Sequence, residues 1–102
     1  MTRHLVVLSQ AAVDIEAGID FYNGIEAGVG TYFKDSIMSD IRRVGSFFGQ
    51  HAIHFGFHRA LSDRFPFAIY YRDRENLRQV VAILDMRRDP ASIKRQLLAR
   101  DP

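Results

Sequence analysis

Apolar residues recur along this chain in two rhythms. His4-Leu5-Val6-Val7-Leu8 is a short apolar run with β-branched members and reads as a strand. Ser9 then suits an N-cap, with Asp14 and Glu16 near the start of a helix over about residues 10–23. Ala12, Ile15, Ile19 and Tyr22 share one face of it, and Asn23-Gly24 is the expected stop. A longer helix is predicted over about residues 26–48. Its stripe of Val29, Phe33, Ile37, Ile41, Val44 and Phe48 advances by three and four, and Gly49 follows as terminator. A connection this short predicts an antiparallel helical hairpin.

Beyond residue 52 the rhythm falls to about two. Residues 55–61, 65–72 and 77–86 read as three strands joined by Ser62-Asp63-Arg64 and by Asp73-Arg74-Glu75-Asn76, which predicts an antiparallel meander. Asp89 and Pro90 then suit the cap and first position of a final helix, with Ile93, Leu97 and Leu98 on a thin apolar face. The expected fold is α+β: a helical hairpin on a small, mostly antiparallel sheet, in the order β-α-α-β-β-β-α. Ile37, Ile41, Phe67 and Ile69 should form its core.

The last strand is unusual. Under strict alternation Val81 and Ile83 point one way, and Val80, Ala82, Leu84 and Met86 the other. Both faces are apolar, and the hairpin can cover only one. The second is expected to meet the last helix or another chain.

At 102 residues the chain suits one domain, 1–102, with one modest core. No apolar run is long enough to span a bilayer and no signal-peptide pattern opens the chain, so a cytoplasmic protein without membrane contact is expected. The absence of cysteine excludes disulfides and thiolate metal sites. The net charge of +2 conceals an asymmetry: residues 1–51 hold four basic and six acidic side chains, residues 52–102 ten and six. Twelve of the fourteen basic residues are arginine, whose planar fork suits phosphates and carboxylates. An acidic partner for the second half is favoured.

Few motifs carry chemistry. His51, His54 and His58 lack a carboxylate or cysteine at a ligand interval and read better as half-exposed histidines than as a metal site. Gly24, Gly28 and Gly30 are not a nucleotide-binding loop, and no serine has a nucleophile motif around it. In FPFAIYYR, Phe65, Phe67, Ile69 and Tyr71 belong under the helices, while Tyr70 and Arg72 face a protein interface or a nucleic acid. Arg87 and Arg88 close an apolar strand. They are either ion-pair donors to Glu16, Asp20 or Asp85, or part of a basic surface with Arg59, Arg64 and Arg72.

FPFAIYYR, then VVAILDMRRDP and a last helix, resembles the C-terminal half of RelE/ParE superfamily toxins. LSQAAVDIEAGIDFYNGIEAGVGTYF, with Tyr22, the interhelical glycines and Phe33, resembles the family's first strand end and helical hairpin. The resemblance spans nearly the whole chain. It implies the toxin of a type II toxin–antitoxin module, without cofactor or metal and neutralised by a cognate antitoxin, as a hetero-oligomer with it or a homo-oligomer. Tyr70, Leu84 and Met86 are the expected antitoxin contacts.

RelE-like members are ribosome-dependent mRNA endonucleases that need a tyrosine or histidine near the C-terminal end for proton transfer; ParE-like members poison DNA gyrase. No tyrosine or histidine follows Tyr71, and Asp85 stands where many relatives carry histidine. The ParE-like branch is therefore favoured, with Arg59, Arg72, Arg87 and Arg88 as target contacts and no assigned catalytic residue. In the nuclease alternative the same arginines and Tyr71 would be catalytic. An inactive interaction module is a third reading.

Overall fold

The structure is a computed structural model that describes residues 3–100; the ends of the expected domain, residues 1–2 and 101–102, lie outside the described residues. Strand β1 (His4–Val7) leads directly into helix α1 (Ser9–Ile25), and helix α2 (Val29–Ser46) returns beside it. Strands β2 (Ile53–His54), β3 (Phe57–Leu61), β4 (Phe67–Arg74) and β5 (Leu77–Asp85) follow, then helix α3 (Pro90–Arg100). The sheet runs β1-β5-β4-β3-β2, parallel only between β1 and β5. The expected order thus holds, with the two-residue β2 added at the edge.

Several boundaries move, each for a physical reason. Leu8, not Ser9, is the N-cap of α1: its N–H donates to Val80 O at 3.0 Å, which holds it extended as the last rung of the sheet. Ser9 is already helical and caps nothing. Asn23-Gly24 does not stop α1, which continues to Ile25. Instead Asn23 Oδ1 accepts the N–H groups of Gly28 and Gly30, at 3.2 and 2.8 Å, and so caps α2 from the neighbouring helix. Gly28 sits at φ +95°, where a side chain would be strained. At Gly30 a Cβ would lie 2.4 Å from Ile19 O, so the helices approach too closely for any other residue.

Helix α2 ends at Ser46, and Phe48, expected on its buried stripe, is 77% exposed. The cause is Arg78 of β5. Its guanidinium donates to the carbonyls of Val44, Phe47 and Gly49, each at 2.9 Å, gathering the helix terminus into a turn. The same guanidinium donates to both Asp73 oxygens at 2.8 and 2.9 Å and stacks on Tyr71 at 4.6 Å.

Phe33, Ile37, Ile41 and Val44 of α2 bury themselves on Phe67, Ile69, Tyr71, Val80 and Ile83, forming the core on the hairpin side. The phase of β5 differs from strict alternation. Tyr70 pairs with Ala82 and Tyr71 with Val80, leaving Val81 as an extra residue in a bulge. Val80 and Ile83 consequently face the hairpin, while Val81, Ala82 and Leu84 face away. That second face is covered by the chain itself: Ile93 and Leu97 of α3 pack on Phe57, Ala68, Tyr70 and Leu84.

Candidate functional site

The four arginines expected to act together occupy two places. Arg59 lies opposite Tyr70 in the register, and Arg72 opposite Gln79, so both belong to the α3 side of the sheet. Arg72 Nε donates to Gln79 Oε1 at 2.9 Å. Arg87 and Arg88 lie in the turn after β5, at the opposite end of β4 from Arg72. Neither reaches Glu16 or Asp20. Arg87 forks onto Asp85, with Nη2 2.7 Å from Oδ2, and Asp85 also accepts the Arg87 N–H at 2.8 Å. The Arg87 hydrogen bonds hold the Asp85 carboxyl below its usual pKa against the effect of partial burial. Arg88 donates to Gln96 Oε1 of α3 at 2.7 Å. Both arginines are exposed, so these are weak surface contacts from which a target could draw them.

Tyr70 and Leu84 are buried to within 1% under α3, and Met86 is half-buried at its margin. Of the two covers expected for this second apolar face, the chain's own last helix is the one found. Alternation exposed the two-sided strand but could not select between its possible covers. Burial pushes the Tyr70 hydroxyl's pKa up, against the charge and hydrogen bond of Arg59.

Tyr71 is also committed. Its hydroxyl accepts the His51 main-chain N–H at 3.0 Å and lies 2.6 Å from His51 Nδ1. Which of the two atoms carries the shared proton follows the His51 tautomer. Burial, then the charges of Arg78, His58 and Arg43, lower the His51 pKa. Because the folded value lies below the ordinary 6.5, the unfolded chain binds more protons in that window. Stability should accordingly fall as pH drops below 6.5 toward the folded value. Melting temperatures of the wild type and His51→Gln across pH 5–8 check this: the variant should lack that part of the slope, and parallel curves would refute it.

The histidines do not form a metal set. His58 Nδ1 faces His51 O at 2.6 Å, and among the described residues no three His, Asp or Glu side chains converge as ligands. Two elements escaped sequence reasoning altogether. One is the Arg78 hub. The other is a latch in which Arg100 at the end of α3 grips Asp14 of α1, with Nη2 2.8 Å from Oδ1, and also reaches Val81 O at 3.3 Å. Asp14 in turn accepts the Ile83 N–H at 2.9 Å, serving the β5 edge where β1 has ended. Beside the latch a cleft of about 400 Å³ opens between α1 and the end of β5, lined by Asp14, Ala17, Gly18, Phe21, Leu84 and Asp85 among others.

No protein-family model and no curated protein matches the sequence. Among solved structures, a chain of the chromosomal ParDE TA system from P. aeruginosa is similar over 80% of this chain and 94% of its own. The TM-score is 0.73 and the sequence identity 18%. The fold is RelE/ParE-like. Within that fold the β5–α3 corner with Arg87 and Arg88 is the candidate functional site, and no helix among the described residues is long and apolar enough to cross a membrane.

Proposed function

We propose that this chain is a single-domain, cytoplasmic toxin of a type II toxin–antitoxin module. In this reading it is ParE-like, acts on DNA gyrase or a comparable protein–DNA target, and is neutralised by a cognate antitoxin. The likeness to a chain of the ParDE system carries the reading. The ParE-like branch is supported by where the titratable groups lie. The Tyr71 hydroxyl is held by His51, and Tyr70 is sealed beneath α3. Arg87 and Arg88 have no tyrosine or histidine after them in the chain. Arginine itself stays protonated and cannot serve as a general base. A nuclease reading would have to use the Tyr22 hydroxyl, which interacts with Arg87 from α1; without a proton-transfer partner such an enzyme forfeits about two to four orders of magnitude in rate.

The arginines act here as anion contacts, in two groups: Arg87 and Arg88 at the exposed corner, Arg59 and Arg72 on the α3 side. Antitoxin contact begins at Met86, and a partner reaching Tyr70 and Leu84 has to displace α3. The test sets the purified chain against gyrase supercoiling and, separately, against mRNA on translating ribosomes. Supercoiling should be inhibited and the mRNA left intact; ribosome-dependent cleavage with normal supercoiling would overturn the ParE-like branch. Arg87→Ala with Arg88→Ala should weaken the effect on gyrase while moving the melting temperature little, since both side chains are exposed and the Arg87–Asp85 pair lies at the surface. A parallel drop in melting temperature would assign the pair a structural role.

A further inference from the structure

Helix α2 buries Phe33, Ile37, Ile41 and Val44 and turns a polar stripe to solvent near its C-terminal end. Ser39, Arg42, Arg43 and Ser46 follow one another at i, i+3, i+4 and i+7, so they share one face, and all four are exposed. With Phe47 they line an open groove of about 400 Å³. A second cleft of about 260 Å³ adjoins it, sharing Arg43 and Phe47 and lined further by His51, Ala60 and Leu61. Guanidinium and hydroxyl groups thus line one half of this surface, and rings and aliphatic carbon the other. Phe47 belongs to both.

These parts are held in place by the fold. The Phe47 ring rests on His51 with centroids 4.3 Å apart, yet the residue is still 45% exposed. His51 is fixed in turn by the Tyr71 hydroxyl, and the Phe47 carbonyl by Arg78. Arg43 is anchored to Asp40, whose other oxygen accepts the Ser62 hydroxyl at 2.6 Å. Asp40 is itself buried, and it is the one carboxylate lining either cleft among the described residues. Arg42 has no ion pair among those residues. Arg78 also occupies the carbonyls that would otherwise leave negative charge at the end of α2. The unmatched charge here is therefore positive. A guanidinium pair beside an exposed ring suits a phosphate ester joined to a flat base. We propose that this surface binds a nucleoside phosphate, with the phosphate on Arg42, Arg43 and the Ser39 hydroxyl and the base stacked on Phe47. A free nucleotide and one unit of a single strand share that chemistry. None of Arg59, Arg72, Arg87 and Arg88 lines either cleft, so the inference stands whether or not the toxin reading does.

The test follows amide shifts of the isotopically labelled chain during titration with AMP, adenosine, inorganic phosphate and a single-stranded oligodeoxyadenylate. AMP should shift residues 39–51 and bind about tenfold or more tightly than adenosine or phosphate. Arg42→Ala should weaken AMP by about tenfold and leave adenosine unchanged. Phe47→Leu should weaken AMP and adenosine by about tenfold and leave phosphate unchanged. Both variants should melt close to wild type, since Arg42 has no ion pair and Phe47 is half-exposed. An oligonucleotide no tighter than AMP would support the proposal with a free nucleotide as ligand; one about tenfold tighter would support it with a strand. Inorganic phosphate as tight as AMP, shifts centred outside residues 39–51, or AMP binding unmoved in both variants would each overturn it.

Discussion

Replacing Arg78 with alanine should destabilise the fold by about 3–5 kcal/mol, the cost of leaving a buried charge without its partner. Arg78 is 2% exposed and serves Asp73 and three carbonyls from the end of α2 at once. Removing it leaves Asp73 with only Gln50 and Arg3 and takes a donor from each of the three carbonyls. Arg78→Lys should recover only part of the loss, because an ammonium lacks the planar fork that reaches a carboxylate and several carbonyls together. The pH dependence is diagnostic. Burial alone would raise the Asp73 pKa, but the hydrogen bonds of Arg78 and Gln50 and the charges of Arg78 and Arg3 bring it below 3.8. In the wild type the resulting stabilisation is present above 3.8 and is lost as pH falls through the folded value. In Arg78→Ala the Asp73 carboxylate keeps only Gln50 and Arg3 against its burial, so its pKa should rise and the deficit relative to wild type should shrink at low pH. Urea unfolding at several pH values measures this, and a deficit independent of pH would argue against an ionic hub.

Phe33→Ala should cost about 3–5 kcal/mol. Its ring is fully buried at the centre of an aromatic cluster, with centroids 5.1 Å from Tyr22, 5.1 Å from Phe65 and 5.0 Å from Phe67. It also lies directly over Gly18, where a Cβ would stand 2.4 Å from the ring. That contact makes a double-mutant cycle informative. Gly18→Ala alone should destabilise by about 1–3 kcal/mol through overpacking, despite the better helix propensity of alanine. In the Phe33→Ala background the added methyl enters vacated space, so the same change should be neutral or favourable. Additive effects would show that the ring does not press on Gly18.

These two sites differ in how far the sequence announces them. Phe33 belongs to a stripe whose three- and four-residue steps persist from Val29 to Val44, so both its helix and its buried face could be read directly. Arg78 could not be read in that way. Its burial depends on carbonyls 29 to 34 residues away, which come within reach only when α2 ends beside β5. Phe48 was misassigned for the same reason, since the periodicity continues past the point where Arg78 draws the chain into a turn. In β5 the two apolar faces were legible, but their phase was not. A bulge at Val81 breaks an alternation that the residue types alone would continue. The cover of the second face was an open choice between α3 and another chain, and the Asp14–Arg100 pair joins residues too far apart for any local pattern to disclose.

That pair also sets an order of events during synthesis. Asp14 and Arg100 are separated by 86 positions, so the latch cannot close until nearly the whole described chain has left the ribosome. By then β4 and β5 can already be paired, with the Tyr70 and Leu84 face uncovered and α3 the last element to arrive. A partner present before α3 docks would meet that face open, whereas one encountering the finished chain would meet it shut.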